Sequence, residues 1–208
     1  MSKKAMEMSV GMIVIIILSV LIFSLSLSLL FKWFGQAEKL QGEIDRQTQD
    51  QILQALKTGN QLVVVPFSIQ QIKRGDIAIF GIGVRNVGAD SDYSMAVEFS
   101  NAYNPDGSQL GVDRNHIRTK WVGNFNTVPT FKLKRNQQEV KTLAFKADVN
   151  MAPSRPTTRG DYVFNVCVYN KPLDSSGGPF APCNLGQFKN DPKVFYTQKI
   201  YQVTIRVV

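Results

Sequence analysis

Residues 8–31, MSVGMIVIIILSVLIFSLSLSLLF, carry no charged side chain. No other feature restricts the chain so strongly. A helix over these 24 positions would be about 36 Å long, enough to cross a hydrocarbon core of about 30 Å with some tilt. An unpaired backbone amide in lipid costs several kcal/mol, so such a segment is expected there only as a helix. The stretch therefore predicts a transmembrane helix over 8–34, in contact with membrane lipid, behind a short N-terminal segment 1–7.

The flanks set an orientation. Lys3, Lys4 and the amino group precede the run, whereas Lys32 and Lys39 behind it are diluted by Glu38, Glu43 and Asp45. That bias predicts a single-pass protein of the cell membrane, its N-terminus cytoplasmic and its C-terminal domain extracytoplasmic. Lys4, Lys32 and Trp33 are the expected membrane-interface residues. A cleaved secretory signal is the alternative, but it expects a shorter apolar core followed by small residues. This core ends instead in Phe31-Lys32-Trp33-Phe34.

Over 35–60, Ala37, Leu40, Ile44, Ile52, Leu53 and Leu56 recur near helical spacing, with Gln47, Thr48 and Gln51 interrupting the stripe. Lys57-Thr58-Gly59-Asn60 supplies a stop, a cation in the last turn and Gly at the cap. No proline precedes it, so one continuous transmembrane and stalk helix is expected. Its thin apolar stripe suits either the flank of the following domain or self-association through residues 8–60.

From Gln61 the period changes to two. In Asp76–Asn86, Ala78, Phe80, Ile82 and Val84 oppose Ile77, Ile79, Gly81 and Gly83; in Tyr93–Phe99, Met95, Val97 and Phe99 share a face. Further runs are Lys120–Val122, Phe131–Leu133, Val140–Val149, Tyr162–Tyr169 and Phe195–Val208. Turn residues separate them, as in Arg74-Gly75-Asp76, Asn104-Pro105-Asp106-Gly107 and Ser175-Ser176-Gly177-Gly178-Pro179. Seven to nine short strands with this punctuation predict an all-β antiparallel sandwich over 61–208.

Charge is lopsided. The first 60 residues hold six Lys/Arg against five Asp/Glu and the remainder eighteen against eleven, so nearly all of the net +8 lies in the β domain. The cations are scattered, and in Phe131-Lys132-Leu133-Lys134 they alternate as on the solvent face of a strand. No helix-turn-helix, finger or paired aromatic motif accompanies them, so specific nucleic-acid binding is not expected.

Cys167 and Cys183 are the only cysteines. An even count on the side of the membrane expected to be oxidising predicts a bridge; two unrelated buried thiols are the alternative. Residues Phe164, Val166 and Val168 share one face of their strand, which turns Cys167 to the other. Asn170–Pro182, rich in Gly, Ser and Pro, is then able to fold back over that second face.

Catalytic signatures are missing. There is no G-x-S-x-G, phosphate-cradling glycine loop, H-E-x-x-H or C-x-x-C. Two cysteines and the single His116 are too few for a metal site at these spacings, and a β-turn accounts for Asn104–Ser108 without calcium. His116, between Arg114 and Arg118, reads as a loop or edge-strand residue. The two Arg-Gly-Asp tripeptides, 74–76 and 159–161, sit where turns feed strands. The expectation is a chain that is not an enzyme, with no catalytic, cofactor or metal residues and no small-molecule substrate.

Two resemblances add to this reading. The stretch RGDYVFNVCV, 159–168, resembles the sixth strand of immunoglobulin-like sandwiches, and GDIAIFGIGVRNVG resembles the second strand and its turn. The first likeness implies that Tyr162 is a corner tyrosine whose hydroxyl returns to the preceding turn. The antibody Cys…Trp…Cys arrangement is absent, so an immunoglobulin- or fibronectin-like architecture is all that is implied. Lys4-Ala5-Met6-Glu7 before an apolar helix is similar to the processing signal of type IV pilins and archaeal flagellins, which implies cleavage near Ala5/Met6. Together these predict a prokaryotic, archaeal-type surface protein. Its expected role is a membrane-tethered binding or structural module that contacts an envelope protein or surface-layer partner. A pilin- or archaellin-like filament subunit is the alternative.

Overall fold

A computed structural model of the chain describes residues 12, 14–23, 46–59 and 61–208, in two units, Met1–Glu43 and Ile44–Val208. In the first unit, residues 14–23 are helical. Among the described residues no helix is long and apolar enough to cross a membrane. The expected single-pass membrane anchor, its cell-membrane localisation and the long transmembrane-and-stalk helix are corrected on that ground. So is the pilin-like architecture, which needs a long helix behind the β domain where the described helices are short. The remaining positions of the 8–31 run, the interface residues Lys4, Lys32 and Trp33, and the processing residues Lys4, Ala5 and Met6 lie outside the described residues.

In the second unit the chain builds two sheets. Strands β1 (Val63–Val64), β3 (Ile77–Arg85) and β6 (Gln138–Lys146) form an antiparallel sheet in the order β1-β3-β6. Strands β2 (Ile69–Ile72), β4 (Ser91–Tyr103), β5 (Thr127–Leu133), β9 (Gly160–Tyr169) and β10 (Tyr201–Val207) form the other, ordered β2-β10-β9-β4-β5. A small pair, β7 (Asn150–Ala152) with β8 (Arg155–Pro156), stands apart. The two large sheets share one core. Its centre is aromatic: Phe145 of β6 meets Phe164 of β9 at 4.8 Å between ring centroids, with Phe80 5.5 Å from Phe145 and Phe99 5.5 Å from Phe164. The period-two pattern dictates this, since Ala78, Phe80, Ile82 and Val84 all bury on the same side of β3.

The expected immunoglobulin-like antiparallel sandwich is corrected to a mixed, β-rich fold with a curled half-barrel sheet and only short helices. The first strand shows why. It leaves β3 after Val64, passes Pro66, which has no N–H to donate, and continues as β2 running parallel to β10. Gln70 of β2 then reaches across to β3. Its amide oxygen accepts the Ile79 N–H at 3.1 Å and its nitrogen donates to the Ile79 carbonyl. A side chain thus stands in for a strand-to-strand ladder and ties the edge of one sheet to the other.

Two segments depart from the expected strands. Lys120–Val122 lies in a π-helical stretch, Ile117–Val122, preceded by the helical turn Arg114–His116. Asp113 starts that turn by accepting the N–H groups of Asn115 and His116 at 2.9 and 3.1 Å. Ile117 and Trp121, four residues apart, then bury into the core, which a strand would not allow together with Val122. The last strand begins at Tyr201 rather than Phe195, because Phe195 packs in a separate outer cluster. Residues 46–58 form helix α1 (Arg46–Thr58), which belongs to the β-rich unit. Its Ile52 and Leu56 are fully buried with Val64 and Val140 against the three-stranded sheet. Gly83 permits this approach: a Cβ there would lie 2.3 Å from Ile52 Cγ2 and 2.7 Å from Leu56 Cδ1.

Candidate functional site

Residues pointing away from the common core on β4 and β9 are covered by the segment joining β9 to β10. Ala96, Cys167, Tyr169, Cys183 and Phe195 form a second buried cluster, flanked by Ala181, Phe188, Val194 and Ile200. Cys167 of β9 and Cys183 of the covering segment are joined in a disulfide, their Cα atoms 5.6 Å apart. Hydrogen bonds fasten the cover elsewhere. The Tyr169 hydroxyl donates to the Ala181 carbonyl at 2.7 Å, Ser94 donates to Lys171 O at 2.8 Å, and Tyr196 donates to Arg85 O at 2.7 Å. A segment rich in Gly, Ser and Pro is thereby held as a defined wall.

Between this wall and the helical turn after Asp113 lies a groove of about 370 Å³. Its floor is β4, residues Ala96 to Phe99; Arg114, Asn115 and Arg118 line one side, and Pro179, Pro182 and Asn184 the other. A β-bulge positions the first arginine. The pairing of β4 with β9 slips between Phe99 and Asn101, which takes the local carbonyls out of the ladder. Arg114 fills that gap, donating to Phe99 O at 3.2 Å and Ser100 O at 2.6 Å with its guanidinium carbon 5.6 Å from the Phe99 ring centroid. The bulge therefore pre-orients a cation at the groove.

Glu98 is the carboxylate of the floor. Burial pushes its pKa above the ordinary value, opposed by the positive charge of Arg114, hydrogen bonds from the Asn184 side chain and the Cys183 N–H, and the charge of Arg118. Among the described residues the ion pairs are Lys141–Glu139 and Arg206–Asp161, and His116 Nε2 lies 3.5 Å from Asp148 Oδ2. Neither groove arginine is within contact distance of a carboxylate. The site thus combines two cations unpaired at short range, a partly desolvated acid and apolar proline walls.

Residues singled out in the sequence take other places. Tyr162 is fully buried and its hydroxyl donates to Thr158 O at 3.0 Å, in the turn before its own strand. His116 sits in the helical turn rather than a loop or edge strand, its Nε2 3.5 Å from Asp148 Oδ2 and without a hydrogen bond. In the second Arg-Gly-Asp, Asp161 is held by Arg206 through two bonds of 2.7 and 2.8 Å. A larger hollow of about 790 Å³ beside that pair is lined also by Arg159 and Val208. Glu98 and the role of Arg114 were not visible beforehand. A loop or edge strand around His116 gives no meaning to the spacing of four between Arg114 and Arg118, which on a helix places both on one side.

No protein-family model matches the chain, and no curated protein matches it. Among solved structures, a family 123 glycoside hydrolase from Clostridium perfringens is similar over 67% of this chain and 22% of its own, with 11% identity and a TM-score of 0.34. The class 5 fimbriae chaperone CfaA is similar over 69% of this chain and 55% of its own, with 10% identity and a TM-score of 0.34. The alkylpurine DNA glycosylase AlkC of Pseudomonas fluorescens is similar over 73% and 33%, with 11% identity and a TM-score of 0.32. The chain spans less than two thirds of each of these proteins, and likenesses this distant carry no argument about function.

Proposed function

We propose that the chain is a binding module rather than a catalyst, and that its β-rich unit contacts a protein partner through the groove between the Arg114–Val122 helical segment and the disulfide-held wall. The observation that carries this reading is the unpaired charge of Arg114 and Arg118 on a rigid frame. Both lie on short helical segments seated on a sheet, opposite a wall tied down by Cys167–Cys183. Segments carried on such scaffolds commonly supply recognition.

The test is site-specific photocrosslinking in the source cells. A photoreactive residue in place of exposed Asn115, on the groove, should give a discrete adduct. The same residue in place of exposed Ile69, on strand β2, should not. Adducts from Ile69 alone would remove the groove as the contact surface.

A further inference from the structure

Two arginines and one glutamate share the groove without bonding to one another. Glu98 faces the Cys183 N–H and the Asn184 side chain of the opposite wall, while Arg114 donates to the bulge carbonyls through two of its nitrogens. Arg118, one turn further along, is exposed, and among the described residues its side chain has no hydrogen bond or ion pair, although its backbone carbonyl accepts the Gly123 N–H. A guanidinium presents five N–H donors, so even Arg114 keeps donors for a ligand. Charge-assisted bonds from such donors to a carboxylate are about twice as strong as neutral ones.

We infer that the groove recognises an acidic side chain on an extended protein segment, taken by Arg114 and Arg118 together, with Glu98 acting as a built-in competitor for the same two cations. This rests on the reading of the groove as a ligand surface. Pro179, Pro182 and Val122 line the same groove, so apolar surface lies beside the two arginines for the backbone and neighbours of such a side chain.

The competitor gives the site a pH sense. The groups acting on Glu98 are Arg114 and Arg118 from the helical segment and the Cys183 and Asn184 donors from the wall; from its own sheet, Tyr169 feels its charge. An incoming anion repels ionised Glu98, so binding promotes uptake of a proton there. Affinity is then expected to rise as pH falls toward the raised pKa of Glu98, until the ligand's own carboxylate protonates.

Calorimetric titration of the full chain tests this with a capped Pro-Glu-Glu-Pro peptide, its Pro-Gln-Gln-Pro counterpart and inorganic phosphate. The glutamate peptide should bind at least about tenfold more tightly than the glutamine peptide, the scale of one charge-assisted bond. Arg118→Gln, at an exposed position, should remove that preference. Glu98→Gln should tighten the glutamate peptide severalfold at neutral pH and flatten its dependence on pH. Equal affinity for the two peptides, no measurable binding of the glutamate peptide, or an unchanged affinity in Glu98→Gln would each overturn the inference. Phosphate displacing the peptide at equal concentration would overturn the protein-segment assignment in favour of a small-anion site. If the peptides fail while Asn115 crosslinks persist, the acidic-ligand inference falls and the groove remains the contact surface. Loss of both removes the groove reading itself.

Discussion

Tyr162 exchanges water at its hydroxyl for the carbonyl of Thr158 while its ring packs 4.4 Å from that of Trp121. Removing only the oxygen leaves the ring contacts and deletes one hydrogen bond. Tyr162→Phe is therefore expected to lower stability by about 1 kcal/mol, read as a shifted midpoint in urea unfolding. Asp161 has a different signature. Hydrogen bonds from Arg206 hold its pKa below the ordinary carboxylate value. A depressed carboxylate contributes stability above its unfolded pKa of about 3.9 and loses it as pH falls through the lower folded value. The pair is partly exposed, so the amount is about 1 kcal/mol at most. Asp161→Asn should accordingly flatten the acid limb of a stability–pH curve below about pH 4 and leave the pH dependence at neutrality unaltered.

At the scale of elements, two attachments do most of the positioning. The disulfide closes the wall of the groove with a sequence separation of 16. On the chain-entropy estimate a loop of this length contributes about 3 kcal/mol. The double substitution Cys167→Ala with Cys183→Ala should cost about that much, since both sites are buried and Ala leaves little void. Limited proteolysis should then cut first within 170–182, where Gly and Ser offer few contacts once the tether is gone. Helix α1 is held differently, by apolar contact over a glycine. Gly83→Val would drive a side chain into Ile52 and Leu56, at distances no real Cβ adopts. The expected cost is about 1–3 kcal/mol, with loss of helical circular dichroism from residues 46–58 as the identifying sign.

Across the whole β-rich unit, one aromatic core spans both sheets and α1 rests on the outside of one of them. Shared burial of this kind predicts a single cooperative transition for Ile44–Val208, with near- and far-ultraviolet circular dichroism melting together. Gln70 is the most informative place to perturb it. Gln70→Ala removes both bonds to Ile79 and leaves its N–H and carbonyl unpaired at the seam between the sheets. A loss of about 1–3 kcal/mol is expected, with faster hydrogen exchange at Ile79 as the local reporter.

Much of this molecule follows from its chain alone. Alternation at 76–86 and 93–99 placed Phe80, Ile82, Met95 and Phe99 in the core, because period two leaves a strand only two faces and one of them must bury. The same alternation separated Cys167 from Phe164, and they lie in different buried clusters. What local pattern did not decide was anything depending on a partner far along the chain. Apolar content at 8–31 predicted a membrane span, yet among the described residues no helix reaches that length. Val63–Val64 and Ile69–Ile72 divide between two sheets, since the parallel slot beside β10 exists only once the last strand is in place. Lys120–Val122 reads as a strand by residue type, yet a distant core site for Trp121 and the cap from Asp113 make the segment helical. The groove has the same origin. Glu98, Arg114 and Asn184 are ordinary polar residues in sequence, and a bulge, a helical turn and a disulfide-held wall bring them together only through tertiary contacts.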